Sequence, residues 1–124
     1  MNVNLRRYGS AVVLTVAGRL DQDSCDAFRA QLTKEVETAA DEGETVVLDL
    51  SALEYVSSAG LRCFMLASRE AKARQARIFV ASLQPMVAEI FKISHFNLVF
   101  QVFGTIPEAL AAVSTQSLAA YEKG

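Results

Sequence analysis

Apolar residues fall along this chain in short blocks separated by polar, charged or glycine-containing breaks. "NVNLRRY" and "AVVLTVAG" are two β-type runs, and Gly9-Ser10 between them suits a hairpin turn. The second run is nearly all apolar, as a strand covered on both faces should be. From Asp23 to Asp41 the pattern changes, and Cys25, Phe28, Leu32, Val36 and Ala39 recur at helical spacing. Asp23 or Ser24 can cap the start of this helix, and Gly43 follows its end. "ETVVLDL" predicts another buried strand. A helix then runs from Ala59 to about Gln75, with Leu61, Phe64, Met65, Ser68 and Ala71 on one face. Arg62, Arg69, Lys72 and Arg74 lie largely off that face and read as a solvated stripe.

"ARIFVAS" predicts a third buried strand. Pro85 suits the first turn of a short helix that points Met86, Val87, Ile90 and Phe91 inward. "NLVFQVF" predicts a last strand, and Pro107 opens a last helix carrying Ile106, Leu110, Val113 and Ser117; "AAYEKG" is expected to fray. The order is β-β-α-β-α-β-α-β-α. It implies an α/β domain with a mixed, mostly parallel sheet of about five strands flanked by four helices and joined by right-handed crossovers.

The 124 residues make one domain, 1–124, and 52% hydrophobic content is enough for a core without staples. Net charge is -2, which offers no electrostatic footprint for nucleic acid. Cys25 and Cys63 both fall in apolar helical patterns and read as buried thiols of a reducing compartment. No apolar run reaches the roughly 18 residues of a membrane span, and "MNVNLRRYGS" lacks the apolar core of a secretory signal. A small soluble cytoplasmic domain, with no membrane partner, is expected.

Catalytic constellations are missing from the sequence. The single histidine, His95, has aromatic neighbours and reads as a packing or surface residue. Neither GxGxxG nor GxxxxGK[ST] occurs, and two cysteines with one distant histidine do not form a zinc motif. Asp21, Asp23 and Asp26 cluster where a helix dipole favours negative charge. The expectation is a protein that is not an enzyme, without cofactor or metal.

The informative stretch is "EYVSSAGLR". Ser57 or Ser58 can cap the helix that follows, but two serines exceed what one cap needs. Gly60 sacrifices about 1 kcal/mol of helix propensity, which close approach of another backbone or of a partner would explain. A phosphate on such a serine adds about -1.5 to -2 charges beside the unpaired N–H groups of a helix start, which tolerate it. A surface packed against the neutral hydroxyl does not tolerate it, because a desolvated, unpartnered dianion costs several kcal/mol.

"VVLDLSALEYVSSAGLRCFM" resembles the signature of the anti-sigma-factor antagonists of the STAS domain family. Asp49-Leu50-Ser51 matches the family's strand end, Leu53 and Tyr55 its spacer, and Ser58-Ala59-Gly60-Leu61 its serine block. "GRLD" at 18–21 and "VFGTIPEALAAV" near the end also match, in order, across essentially the whole chain. The resemblance implies a phosphorylation substrate whose target serine is Ser58, with Ser57 the second choice. It implies that the unphosphorylated form binds an anti-sigma factor that is also a serine kinase, freeing the sigma factor. A metal-dependent serine phosphatase resets the phosphorylated form. It places Asp21 near the serine loop on a partner-binding face, which is expected to include Ser57, Ser58, Ala59, Gly60 and Arg62. Ser57 stands where the family often has Asp, which removes a negative charge and offers a kinase a second hydroxyl. Two other classes remain: a constitutive STAS scaffold or accessory subunit of a transporter or stress-signalling complex, and a small enzyme on a doubly wound fold.

Overall fold

The computed structural model describes residues 2–123. Strands β1 (Asn2–Tyr8) and β2 (Ala11–Leu20) form the expected antiparallel hairpin, with Tyr8 opposite Ala11. Helix α1 (Gln22–Glu42) leads to β3 (Thr45–Asp49), then β4 (Leu53–Val56), α2 (Ser58–Ala73), β5 (Arg77–Ala81) and α3 (Pro85–Ile93). A 3-10 turn (Phe96–Leu98), β6 (Gln101–Phe103), α4 (Ile106–Val113) and α5 (Thr115–Lys123) complete it. The sheet has six strands in the order β1-β2-β3-β5-β6, with β4 pairing the far end of β2. Every pairing except β1–β2 is parallel.

The pleat sends alternate residues of the central strands into two cores. Leu14, Val16, Val46, Leu48, Ile78 and Val80 meet α1 and α2 on one face. Ala11, Val13, Val47, Phe79 and Ala81 meet Ile106, Ala109 and Leu110 of α4 on the other. Burial on both faces is why these strands read as continuous apolar runs. Phe64 of α2 centres the larger core, with Phe28, Phe91 and Phe100 edge-on at 5.5, 5.6 and 6.3 Å.

The architecture is the expected one, with two elements more. "SALEYV" does not run straight into the helix: Leu53–Val56 pairs with Gly18–Leu20, across a register shift that Gly18 permits at φ +100°. Four residues with Glu54 among them carry too little apolar pattern to announce a strand. The last helix is broken at Ser114, whose extended backbone (φ -168°) ends α4 and whose hydroxyl accepts the Ser117 N–H at 3.0 Å to start α5. Instead of forming a loose tail, residues up to Lys123 are helical, and Tyr121 stacks edge-on against Tyr8 at 5.3 Å; Gly124 lies outside the described residues.

"NLVFQVF" is a strand only in its last three residues. Phe96 and Phe100 both pack on Phe91, with their own centroids 6.1 Å apart. An extended chain would separate them by about 13 Å at roughly 3.3 Å per residue. The chain coils instead, and the Phe100 N–H donates to the Phe96 carbonyl at 2.9 Å. In α3 the inward face is Val87 and Phe91, with Ile90 half-buried; Met86, expected inward, is 57% exposed.

Phe64→Ala removes the ring shared by the aromatic cluster and is expected to lower unfolding free energy by about 3–5 kcal/mol. Urea denaturation checks this, and a loss below about 1 kcal/mol would mean that the cluster is not the core's centre.

Candidate functional site

The site forms where β2 and β4 end side by side and α1 and α2 begin. Asp21 leaves β2 in an extended conformation and is itself the N-cap of α1. Its Oδ1 accepts the N–H groups of Asp23 (3.1 Å) and Ser24 (3.2 Å), while Ser24 Oγ accepts the Asp21 N–H at 3.0 Å. This reciprocal pair is a capping box. It corrects the expectation that Asp23 or Ser24 caps α1, because the helix starts as soon as the chain leaves the sheet. Asp21 thus has a structural task; it is half-buried and directly follows Leu20, whose carbonyl accepts the Ser57 N–H.

Ser57 is held on both sides. Its N–H donates to the Leu20 carbonyl at 2.9 Å, its Oγ accepts the Gly60 N–H at 3.2 Å, and its carbonyl accepts the Leu61 N–H at 2.9 Å. Ser57 is therefore the N-cap of α2, and Ser58 is the first helical residue. Of the two serines expected to be able to cap this helix, Ser57 does so, and Ser58 stands in the first turn two residues before Gly60. Capping occupies Ser57 and turns the next side chain outward. Ser58 is exposed, and its hydroxyl has no hydrogen bond to protein among the described residues.

Gly60 is required by internal packing. A Cβ there would lie 2.8 Å from the Leu20 carbonyl oxygen and 2.9 Å from Leu20 Cγ. The first turn of α2 sits directly on the end of β2, and this joins the Asp21 cap to the Ser57 cap. Ala59 is half-buried against the core. Arg62 is exposed one turn beyond Ser58, on the same helix face by the i,i+4 relation, and forms no ion pair among the described residues. The basic stripe behind it is not uniform, since Arg74 is tied to Glu70 (2.9 Å) and Glu37 (3.3 Å).

Several supporting residues escape sequence reading because they depend on β4. Arg19 lies over the Tyr55 ring at 4.4 Å, and these two are register partners. Asp49 Oδ1 accepts the Ser51 N–H at 3.0 Å, and Gln84 Nε2 donates to the Ser51 carbonyl at 2.7 Å, which fixes the turn into β4. Asp49 was legible as part of a motif; its use as a turn-former was not.

Cys25 and Cys63 are both free and buried, and Cys63 Sγ donates to the Cys25 carbonyl at 3.4 Å, stitching α2 to the first turn of α1. Burial, reinforced by the Cys25 thiol, pushes the Cys63 thiol up to about 11. It stays protonated at neutral pH and is a poor nucleophile. Among the described residues no three His, Cys, Asp or Glu side chains are grouped to hold a metal ion, and no helix is long and apolar enough to cross a membrane.

This chain belongs to the STAS domain family: residues 3–101 match the family described as "Mlab, STAS domain". Among curated proteins it is 32% identical over 116 residues to BtrV of Bordetella bronchiseptica, named as an anti-sigma factor antagonist, covering 93% of this chain and 97% of BtrV. A Thermotoga maritima protein of the same naming superposes with a TM-score of 0.80 at 16% identity, over 90% of this chain and 93% of that one. The anti-sigma factor antagonist SpoIIAA of Bacillus shares the fold at 23% identity. Its unphosphorylated form gives a TM-score of 0.72 over 90% of this chain and 96% of that one. Its phosphorylated form gives 0.65 over 90% and 99%.

Gly60→Ala should destabilise the protein by about 1–3 kcal/mol in spite of alanine's better helix propensity, since the clash with Leu20 is with backbone. A denaturation midpoint at or above that of the wild type would contradict the close approach. The Cys63 pKa, raised from 9.0 to about 11, gives a second expectation. Between those values the folded state holds a proton that the unfolded state has lost, so its stabilising effect is complete below pH 9 and fades as pH rises toward 11. Urea midpoints measured from pH 8 upward should fall more steeply for the wild type than for Cys63→Ala; parallel curves would contradict this.

Proposed function

We propose that the chain is an anti-sigma factor antagonist switched by phosphorylation of Ser58. The observation that carries this reading is the division of labour between the two serines. Ser57 is locked into the cap, whereas the Ser58 hydroxyl is exposed and unengaged at the first position of α2. A kinase can reach the second without dismantling the first. The naming of BtrV and of the structural relatives supports the class, and the existence of SpoIIAA in phosphorylated and unphosphorylated forms supports the type of switch.

In this reading the unphosphorylated face of Asp21, Ser57, Ser58, Ala59 and Arg62, with Gly60 buried beneath it, binds an anti-sigma factor that is also a serine kinase, and the sigma factor is released. Phosphate at Ser58 adds about two negative charges to that face. The first-turn N–H groups and the helix dipole accommodate them, so the domain stays folded. The docked surface cannot accommodate them and separates. A metal-dependent serine phosphatase would restore the hydroxyl. The protein acts as a binding partner in the cytoplasm, not as an enzyme, and its only chemistry is to be a substrate.

Incubation with a cognate anti-sigma kinase and ATP should place a single phosphate on the Ser57–Ser58 peptide, assigned to Ser58 by fragmentation mass spectrometry. Ser58→Asp should weaken binding to that kinase more than tenfold, or about 1.4 kcal/mol, with an unchanged melting temperature, and Ser58→Ala should retain binding. A phosphate confined to Ser57, or a Ser58→Asp protein that is unfolded, would overturn the assignment.

A further inference from the structure

The main run of the sheet, β1-β2-β3-β5-β6, ends in two edge strands, and they are finished differently. At β1 the outer strand carries Arg6 and Arg7, and α5 packs over its end through Tyr121. Charge and cover of this kind keep an edge strand from pairing with another chain. At the other edge, β6 has the sequence Gln-Val-Phe, with no charge or proline. Around it apolar side chains face outward: Leu98 is 79% exposed, Val99 41% and Val102 43%.

The early end of β6 also leaves a gap. It pairs with Phe79–Ala81 only, so Arg77 and Ile78 at the start of β5 are paired with β3 on one side and have no strand beside them on the β6 side. In the gap lies a recess of about 420 Å³ whose walls include Phe79, Val99 and Phe100 and whose rim carries Lys72 and Arg77. An open groove of about 600 Å³ continues along Asn97–Phe103, sharing Val99, Phe100 and Gln101 with the recess. Arg77 is posed: its guanidinium donates to the buried Thr45 Oγ1 at 3.0 Å and lies over the Phe79 ring at 5.2 Å. Among the described residues neither Lys72 nor Arg77 has a carboxylate partner.

The geometry points to a second protein-docking surface on this edge, taking an extended peptide segment of a partner that alternates apolar and acidic residues. Backbone pairing with the β5–β6 edge would continue the sheet, apolar side chains would cover Val99 and Val102, and a carboxylate would meet Lys72 and Arg77. The surface is an open recess and groove along the edge strand rather than an enclosed cavity, which suits a strand better than a small molecule. It is concave and bordered by strand backbone, which suits a strand better than a lipid surface. This inference does not depend on the state of Ser58.

A random heptapeptide phage library selected on the full chain, with counter-selection on the Val102→Lys/Lys72→Glu double variant, tests it. Both substituted side chains are solvent-facing, and a melting temperature within a few degrees of the wild type confirms that the variant folds. Enriched peptides should alternate apolar with acidic residues, bind the wild type at least tenfold more tightly than the variant, and shift the amide resonances of residues 97–103. Lys72→Glu alone should reverse the preference between an enriched peptide and its Glu-to-Lys counterpart. Absence of enrichment, peptides that bind the variant equally, or shifts confined to the serine loop would overturn the proposal. So would variant-sensitive flotation with anionic vesicles, or variant-sensitive self-association in sedimentation equilibrium, without acidic-peptide binding.

Discussion

The hydrogen bond from the Ser57 N–H to the Leu20 carbonyl, with Gly60 pressed onto the same carbonyl, holds the start of α2 on the end of β2. It joins two segments far apart in sequence, the end of the second strand and the start of the second helix. Because the oxygen leaves no room for a Cβ at residue 60, the helix must enter at one height and in one orientation. From that follow the N-cap geometry of Ser57, the outward direction of Ser58 and the nearness of Asp21. The Cys63–Cys25 contact repeats the tie one turn further along both helices.

The two neighbouring hydroxyls consequently do different work. One is consumed in backbone accounting, accepting an N–H that would otherwise be orphaned at a helix start. The other is left over. A protein that signals by gaining a charge needs such a surplus group on a rigid support, so that the charge alters what docks and not how the chain folds.

Much of this was legible in the amino-acid order, for a physical reason. Strands buried on both faces must be apolar throughout, so β2, β3 and β5 stand out as blocks, and the amphipathic periods of α1 and α2 locate the layers above them. The serine block was legible as a motif. What pattern could not supply was anything set by a partner elsewhere in the chain. β4 exists because the end of β2 offers it an edge; Asp21 caps α1 because the sheet ends one residue earlier; Ser57 wins the cap because Leu20 accepts its N–H. Phe96 and Phe100 override the strand propensity of their neighbourhood through tertiary packing, which shortened β6 and opened the gap beside β5. The motif-bearing seam was thus readable as a sequence, and its atomic logic only as a fold.

The central claim is that a dianion at residue 58 changes the surface while leaving the scaffold in place. A high-resolution structure of the full chain with phosphoserine installed at position 58 tests it most directly. The account predicts that the Ser57 N–H still reaches the Leu20 carbonyl, that Gly60 keeps its place on β2, and that the phosphate projects into solvent. A phosphorylated form in which the start of α2 unwinds or lifts from Leu20 would contradict it.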